Sequence, residues 1–150
     1  MPLILQEAVS LKALNSFGVE ARAAWAACIR TPAELAELRE DPRVRGMPRL
    51  VLGAGSNVLF AHDFEGLVVQ MAISGIEELG TDANARIVRV GAGESWPALV
   101  EKLVHEGRPG LENLALIPGT VGAPRPAAPP ALPCLSPRVD TAPSIPDERR

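Results

Sequence analysis

Glycine and proline divide this chain into two parts that cannot share one fold. All thirteen glycines lie at or before Gly122, whereas eight of the fifteen prolines fall between Pro124 and Pro146. From Ala123 the sequence runs Ala-Pro-Arg-Pro-Ala-Ala-Pro-Pro-Ala-Leu-Pro-Cys, with no helical or alternating period. It holds too little bulky apolar content to offset the entropy of ordering it. Residues 124–150 are therefore expected to form a disordered, partly polyproline-II tail. Two PxxP stretches, 126–129 and 130–133, leave a peptide-ligand reading open, although proline-rich sequence produces such matches freely. The folding information sits in the first 122 residues, enough for one domain of ordinary size.

Within that region local signals place the elements. Ala24 to Ile29 is short and apolar and reads as a buried strand. Thr31-Pro32-Ala33-Glu34 then supplies a capping residue, a proline suited to the first helical turn and the glutamate of a capping box. Leu35 and Leu38 give that helix an apolar face before the Asp41-Pro42 break. Leu50 to Leu52 and Gly66 to Met71 read as two more strands, which makes a β-α-β-β unit expected over 1–72. A second unit, 73–123, opens with strands at Ile76 to Leu79 and Ile87 to Val90, joined through the turn-rich Thr81-Asp82-Ala83-Asn84. Ser95 can cap a following helix that has Pro97 in its first turn and Gly107 as its stop. Leu99, Val100, Leu103 and Val104 are expected on its apolar face.

Composition excludes several classes of partner. A net charge of -3 and a pI near 5.4 give no broad attraction to nucleic acid or to an anionic membrane, so a small molecule is the expected partner. No run approaches the roughly 20 apolar residues of a membrane span. The amino terminus lacks the basic start and apolar core of a secretory signal. Cys28 and Cys134 suggest neither a disulfide framework nor a zinc spacing, and His62 and His105 have no spaced partners, so no metal site is expected. A cytoplasmic, reducing location follows as an expectation.

The segment that carries chemistry is Leu50-Val51-Leu52-Gly53-Ala54-Gly55-Ser56-Asn57-Val58-Leu59, an apolar strand opening into a glycine-rich turn. Glycines let backbone N–H groups converge on an anion, and Ser56 and Asn57 add side-chain donors. The dinucleotide fingerprint fails because Val58 stands where its last glycine belongs, and a P-loop fails for want of Gly-Lys-Ser/Thr. Taken alone, the turn is as well explained as a tight connection. Glu94, Glu101 and Glu112 read most simply as solvent-facing or helix-terminal carboxylates, and Trp25 and Trp96 as packing residues. Asn113 is open to two readings, shaping a ligand pocket or holding its own loop.

The turn has company. Phe17-Gly18-Val19, Leu52-Gly53-Ala54-Gly55-Ser56-Asn57, Gly91-Ala92-Gly93-Glu94, Gly110-Leu111-Glu112-Asn113-Leu114 and Ile117-Pro118-Gly119-Thr120-Val121-Gly122 follow one another in order. Together they resemble the UDP-N-acetylenolpyruvoylglucosamine reductase (MurB) family, from about Leu14 to Gly122. The resemblance implies an α+β, PCMH-like fold of two subdomains with FAD between them and NADPH as reductant. It implies reduction of the enolpyruvyl group of UDP-N-acetylglucosamine enolpyruvate to give UDP-N-acetylmuramate. Carried onto this chain, Gly53, Ala54, Gly55, Ser56 and Asn57, with the backbone of Val58, would hold the FAD pyrophosphate. Ile117, Pro118, Gly119, Thr120 and Gly122 would line the flavin's second wall.

The departure from the family pattern begins at Ala123. Where the family continues into a segment resembling Pro-x-Gln-Asn-Ile-Gly-Ala-Tyr-Gly, this chain turns to Pro124-Arg125-Pro126, and it contains no tyrosine. The rest of the second subdomain, the substrate domain and the family's catalytic groups have no counterpart, so no catalytic residue is assigned. Cys134 lacks the neighbours of the family's proton donor. The expectation is a C-terminally truncated, inactive member, such as a frameshift would leave. The alternatives are a non-catalytic FAD- or nucleotide-binding remnant and a poorly folding gene product.

Overall fold

A computed structural model of the chain describes residues 3–82, 85–108 and 110–122. The expectations for 124–150, including the PxxP stretches and Cys134, and the turn at Ala83-Asn84 lie outside these residues. The centre of the structure is a strand that sequence pattern alone makes hard to mistake. Leu67, Val68 and Val69 are consecutive and completely buried, so both faces of their strand, β4 (Phe64–Met71), must be covered. A continuous apolar run of this kind belongs to a parallel sheet. β4 indeed pairs in parallel with β2 (Arg22–Ile29) on one side and β3 (Arg49–Leu52) on the other. β1 (Leu5–Ser10) adds antiparallel to β2, giving the order β1-β2-β4-β3.

One face of this sheet is closed by α1 (Pro32–Glu40), whose Leu35 and Leu38 meet Ala27, Ile29, Leu67 and Val69. The helix begins where the residues dictate. Thr31 Oγ1 accepts from Glu34 N at 3.2 Å, and Glu34 Oε2 accepts from Arg30 N at 2.6 Å and Thr31 N at 3.2 Å, completing the capping box. At the other end Asp41 caps a short 3-10 turn over Pro42–Val44, and Arg43 pairs with its carboxylate while lying 5.9 Å from the Trp25 ring centre. Hydrogen bonding from Arg43 holds the Asp41 carboxyl down to about 2. The second face of the sheet is closed by Leu11, Ala21, Phe60 and the half-buried Leu14 and Val58, which pack on Ala26, Leu52 and Val68.

The second unit is smaller. β5 (Ile76–Asp82) and β6 (Ala85–Val90) form an antiparallel hairpin, and α2 (Trp96–His105) packs across one side of it through Leu99, Val100 and Leu103. α2 ends in a Schellman motif. Gly107, at φ +67°, donates to Val104 O at 3.0 Å, and Arg108 donates to Leu103 O at 2.8 Å.

Three details differ from expectation. The first unit is β-β-α-β-β, because β1 precedes the expected pattern; it is an edge strand whose sequence Leu-Gln-Glu-Ala-Val-Ser is mostly exposed and carries no strong alternation. β5 runs on to Asp82 rather than stopping at Leu79. Val104 is 45% exposed, since the buried stripe of α2 uses Leu99, Val100 and Leu103 and rotates past it. Among the described residues no helix is long and apolar enough to cross a membrane.

Candidate functional site

Because β2, β4 and β3 are parallel, their carboxyl ends, Ile29, Met71 and Leu52, emerge on one end of the sheet. That end is where open parallel sheets collect ligands. The glycine turn leaves β3 there. Gly55 is at φ +66°, and a Cβ on it would collide with the Leu14 carbonyl and lie 2.8 Å from its carbon. Glycine is thus demanded twice, by conformation and by close approach. The Gly55 carbonyl accepts from Ser16 N at 3.1 Å, and the Ser56 carbonyl accepts from Ser16 Oγ at 3.1 Å.

Most amides of the same turn are unused. Residues 56–57 lie in a hydrogen-bonded turn that Val58 N–H closes on the Gly55 carbonyl, whereas the N–H groups of Ala54, Gly55, Ser56 and Asn57 donate to no acceptor among the described residues. Ser56 is half-buried and Asn57 exposed, and Val58 turns inward onto the second-face core. A run of free amides beside two polar side chains is an arrangement that can receive an anion with several oxygens. Beside it, a groove of about 220 Å³ runs over Ala26, Cys28, Val68 and Gln70, with Ala13 and Leu14 as a wall. Leu14 belongs to both the groove and the backing of Gly55, so the two adjoin.

The segment Ile117 to Gly122 occupies a different place. It lies antiparallel along 92–96: Trp96 N donates to Gly119 O at 3.0 Å, Val121 N to Glu94 O at 2.9 Å and Gly122 N to Ala92 O at 2.9 Å. A Cβ on Gly122 would sit 2.5 Å from that of Ala92. The missing Cβ of Gly122 thus allows its backbone to pack closely against Ala92. Gly91 and Gly93 do the same one step further back, donating to Gly75 O and Ile73 O, both at 2.8 Å, and so tie the segment to the end of β4. Gly119, at φ +120°, and Thr120 donate their amides to no acceptor among the described residues, and Thr120 Oγ1 is buried without a partner. Pro118 is exposed and Ile117 packs on the α2 core.

The structure therefore presents two sets of unpartnered backbone donors, one on each unit, and the sequence motifs fall on them. Other candidates serve the framework. Glu94 Oε1 accepts from Gly75 N at 2.7 Å, and backbone amides, that of Glu112 itself first and then that of Gly110, hold the Glu112 carboxyl below the usual carboxylate range. Trp96 Nε1 donates to Leu114 O at 2.8 Å. Glu101 and Asn113 face solvent. His62 and His105 meet only nearby backbone carbonyls, and no group of three metal-ligating side chains occurs among the described residues. Sequence reasoning passed over Asn15 and Ser16, which back the glycine turn. Their signal was an Asn-Ser pair just ahead of Phe17-Gly18, a turn composition with side chains able to bond backbone.

Comparison with known proteins gives this geometry a context. Residues 23–124 match the FAD binding domain family. UDP-N-acetylenolpyruvoylglucosamine reductase of Burkholderia mallei is 56% identical over 114 residues, which are 76% of this chain and 33% of that protein. The reductase of Ralstonia nicotianae is 52% identical over 112 residues, with 73% and 33% covered. The crystal structure of UDP-N-acetylenolpyruvylglucosamine reductase (MurB) from Thermus caldophilus superposes with a TM-score of 0.58 at 29% identity, covering 80% of this chain and 40% of that one. The chain spans about a third of the length of the curated relatives it matches. By sequence and by fold, the chain belongs to the FAD binding domain family, in the form carried by the N-terminal part of UDP-N-acetylenolpyruvoylglucosamine reductases.

Proposed function

We propose that this chain binds FAD, with the pyrophosphate on the free amides of Ala54 to Asn57, on the side chains of Ser56 and Asn57 and against the backbone of Val58, and with Gly53 leading the chain into the turn. Ile117, Pro118, Gly119, Thr120 and Gly122 form the wall on the flavin side. The observation that carries this reading is the run of amides without acceptors at the carboxyl end of a parallel sheet. The buried, partnerless Thr120 hydroxyl and the free amides of Gly119 and Thr120 suit the polar edge of a second part of the same ligand. Two subdomains meeting near residue 72 are part of this reading.

The activity it serves is the reduction of UDP-N-acetylglucosamine enolpyruvate to UDP-N-acetylmuramate in peptidoglycan precursor synthesis, with NADPH as reductant and in the cytoplasm. The support is the identity to reductases of that name. FAD, when bound, supplies the hydride-carrying ring. This chain's own residues bind and orient it: the turn neutralises phosphate charge with amides that need no reorganisation, and the Gly119 to Gly122 segment supplies a backbone face for the ring. No residue of the chain is assigned to the chemical step.

The reading is tested by titrating the purified chain with FAD and, separately, with riboflavin, which lacks the pyrophosphate, while following flavin fluorescence. Saturable quenching by FAD, with riboflavin at least about tenfold weaker, is expected from the loss of several charge-assisted hydrogen bonds. Equal binding of both would remove the phosphate site from the account.

A further inference from the structure

A turn offers several amides to one anion only if its peptide planes all face the same way. Each plane carries a C=O and the next residue's N–H on opposite sides, so holding the carbonyl aims the amide. Ser16 holds two successive planes of the glycine turn. Its N–H bonds the Gly55 carbonyl at 3.1 Å, and its Oγ–H bonds the Ser56 carbonyl at 3.1 Å. The amides aimed away from it are those of Ser56 and Asn57, and neither donates to an acceptor among the described residues.

Ser16 is itself held. Asn15, 6% exposed, donates through Nδ2 to Leu11 O at 2.8 Å and Val19 O at 3.0 Å, and its Oδ1 accepts from Val19 N at 3.0 Å. These bonds close the 11–19 loop into a rigid back plate. Gly55 permits the contact because any side chain there would strike the Leu14 carbonyl.

We infer that Ser16 is a positioning residue that aims the Ser56 and Asn57 amides at a diphosphate, with Asn15 as its anchor. The inference rests on the proposed FAD site and names a residue outside the glycine turn that sets its affinity. Ser16 is exposed and outside every core cluster, so its replacement leaves the fold intact.

The test uses the full chain labelled with ¹⁵N, with inorganic pyrophosphate and then FAD as probes, in wild type, Ser16→Ala and Ser16→Thr. In wild type the Ser56 and Asn57 amide signals should shift saturably with either probe. Ser16→Ala should weaken pyrophosphate binding about two- to tenfold, the range for losing one hydrogen bond, and lower the backbone order parameters of Ser56 and Asn57. Ser16→Thr, which keeps the hydroxyl, should restore both, and thermal unfolding should be the same in all three. Unchanged affinity and order in Ser16→Ala would overturn the inference and leave the FAD reading standing. Shifts with neither probe in wild type would remove the FAD reading, and the positioning role with it.

Discussion

The four-stranded sheet and the β5-β6 unit solve the same problem with unequal resources. The first covers both faces of its central strand, and Leu67, Val68 and Val69 are completely buried. The second is a two-stranded hairpin covered on one side by α2, and it leaves Leu79 and Ile87 44% and 43% exposed. A hairpin of this size is marginal in water unless something packs on it, so α2 is its stability. The candidate sites reflect the difference. The glycine turn is braced by side-chain bonds from a separate loop, whereas the 117–122 segment is held by main-chain bonds to 92–96 and by glycines that allow the chains to touch. A row of free backbone donors can therefore be held in place by bracing a turn on a thick core or by layering backbone on a thin one.

The most severe way to break this comparison is in the two cores. Leu67→Ala should destabilise the first unit by about 2–5 kcal/mol, the range for a fully buried leucine, in urea unfolding followed by Trp25 emission. Leu103→Ala, in the thinner core, should fall at or below the low end of about 2 kcal/mol. Equal or reversed losses would contradict the ranking of the units. Next in size is Gly122→Ala. Its new Cβ would press on Ala92, and overpacking of this kind is worth about 1–3 kcal/mol. The change should register in Trp96 emission and leave the first unit's transition in place.

Smaller effects sharpen the account of the first unit. Removing the α1 cap with Thr31→Ala should lower stability by about 1 kcal/mol, visible as a lower urea midpoint at unchanged slope. The least change is expected from Asp41→Asn. With a folded pKa of about 2 against an ordinary aspartate value of 3.8, the ionised carboxylate favours the fold above the higher value. That contribution fades as pH falls through the lower one. The melting-temperature gap between wild type and variant should be small near neutrality, because the pair is at the surface, and should close between pH 4 and 2.

How much of this was legible in residues follows the same division. The α1 start, the β2, β3 and β4 strands and the Gly107 stop of α2 were readable because each rests on a local rule: a capping box, an apolar run, a left-handed glycine. The glycine turn after β3 was readable as a turn for a similar reason. β1 was not, because an edge strand needs only one partner and carries no core pattern. Nor was Ser16, whose contribution depends on Gly55 and Ser56, some forty residues away. Gly122 was expected to line the flavin's second wall; that its missing Cβ also serves contact with Ala92 is a tertiary fact with no local signature.

The most direct test of the central claim is an amide NMR map of the ¹⁵N-labelled chain as FAD is added. The account predicts saturable shifts largest at Ala54 to Val58, with a second set at Gly119 and Thr120, and little change along α1 on the opposite face of the sheet. Saturable shifts centred on α1 or on the exposed side of the β5-β6 hairpin, with the glycine turn unmoved, would contradict it.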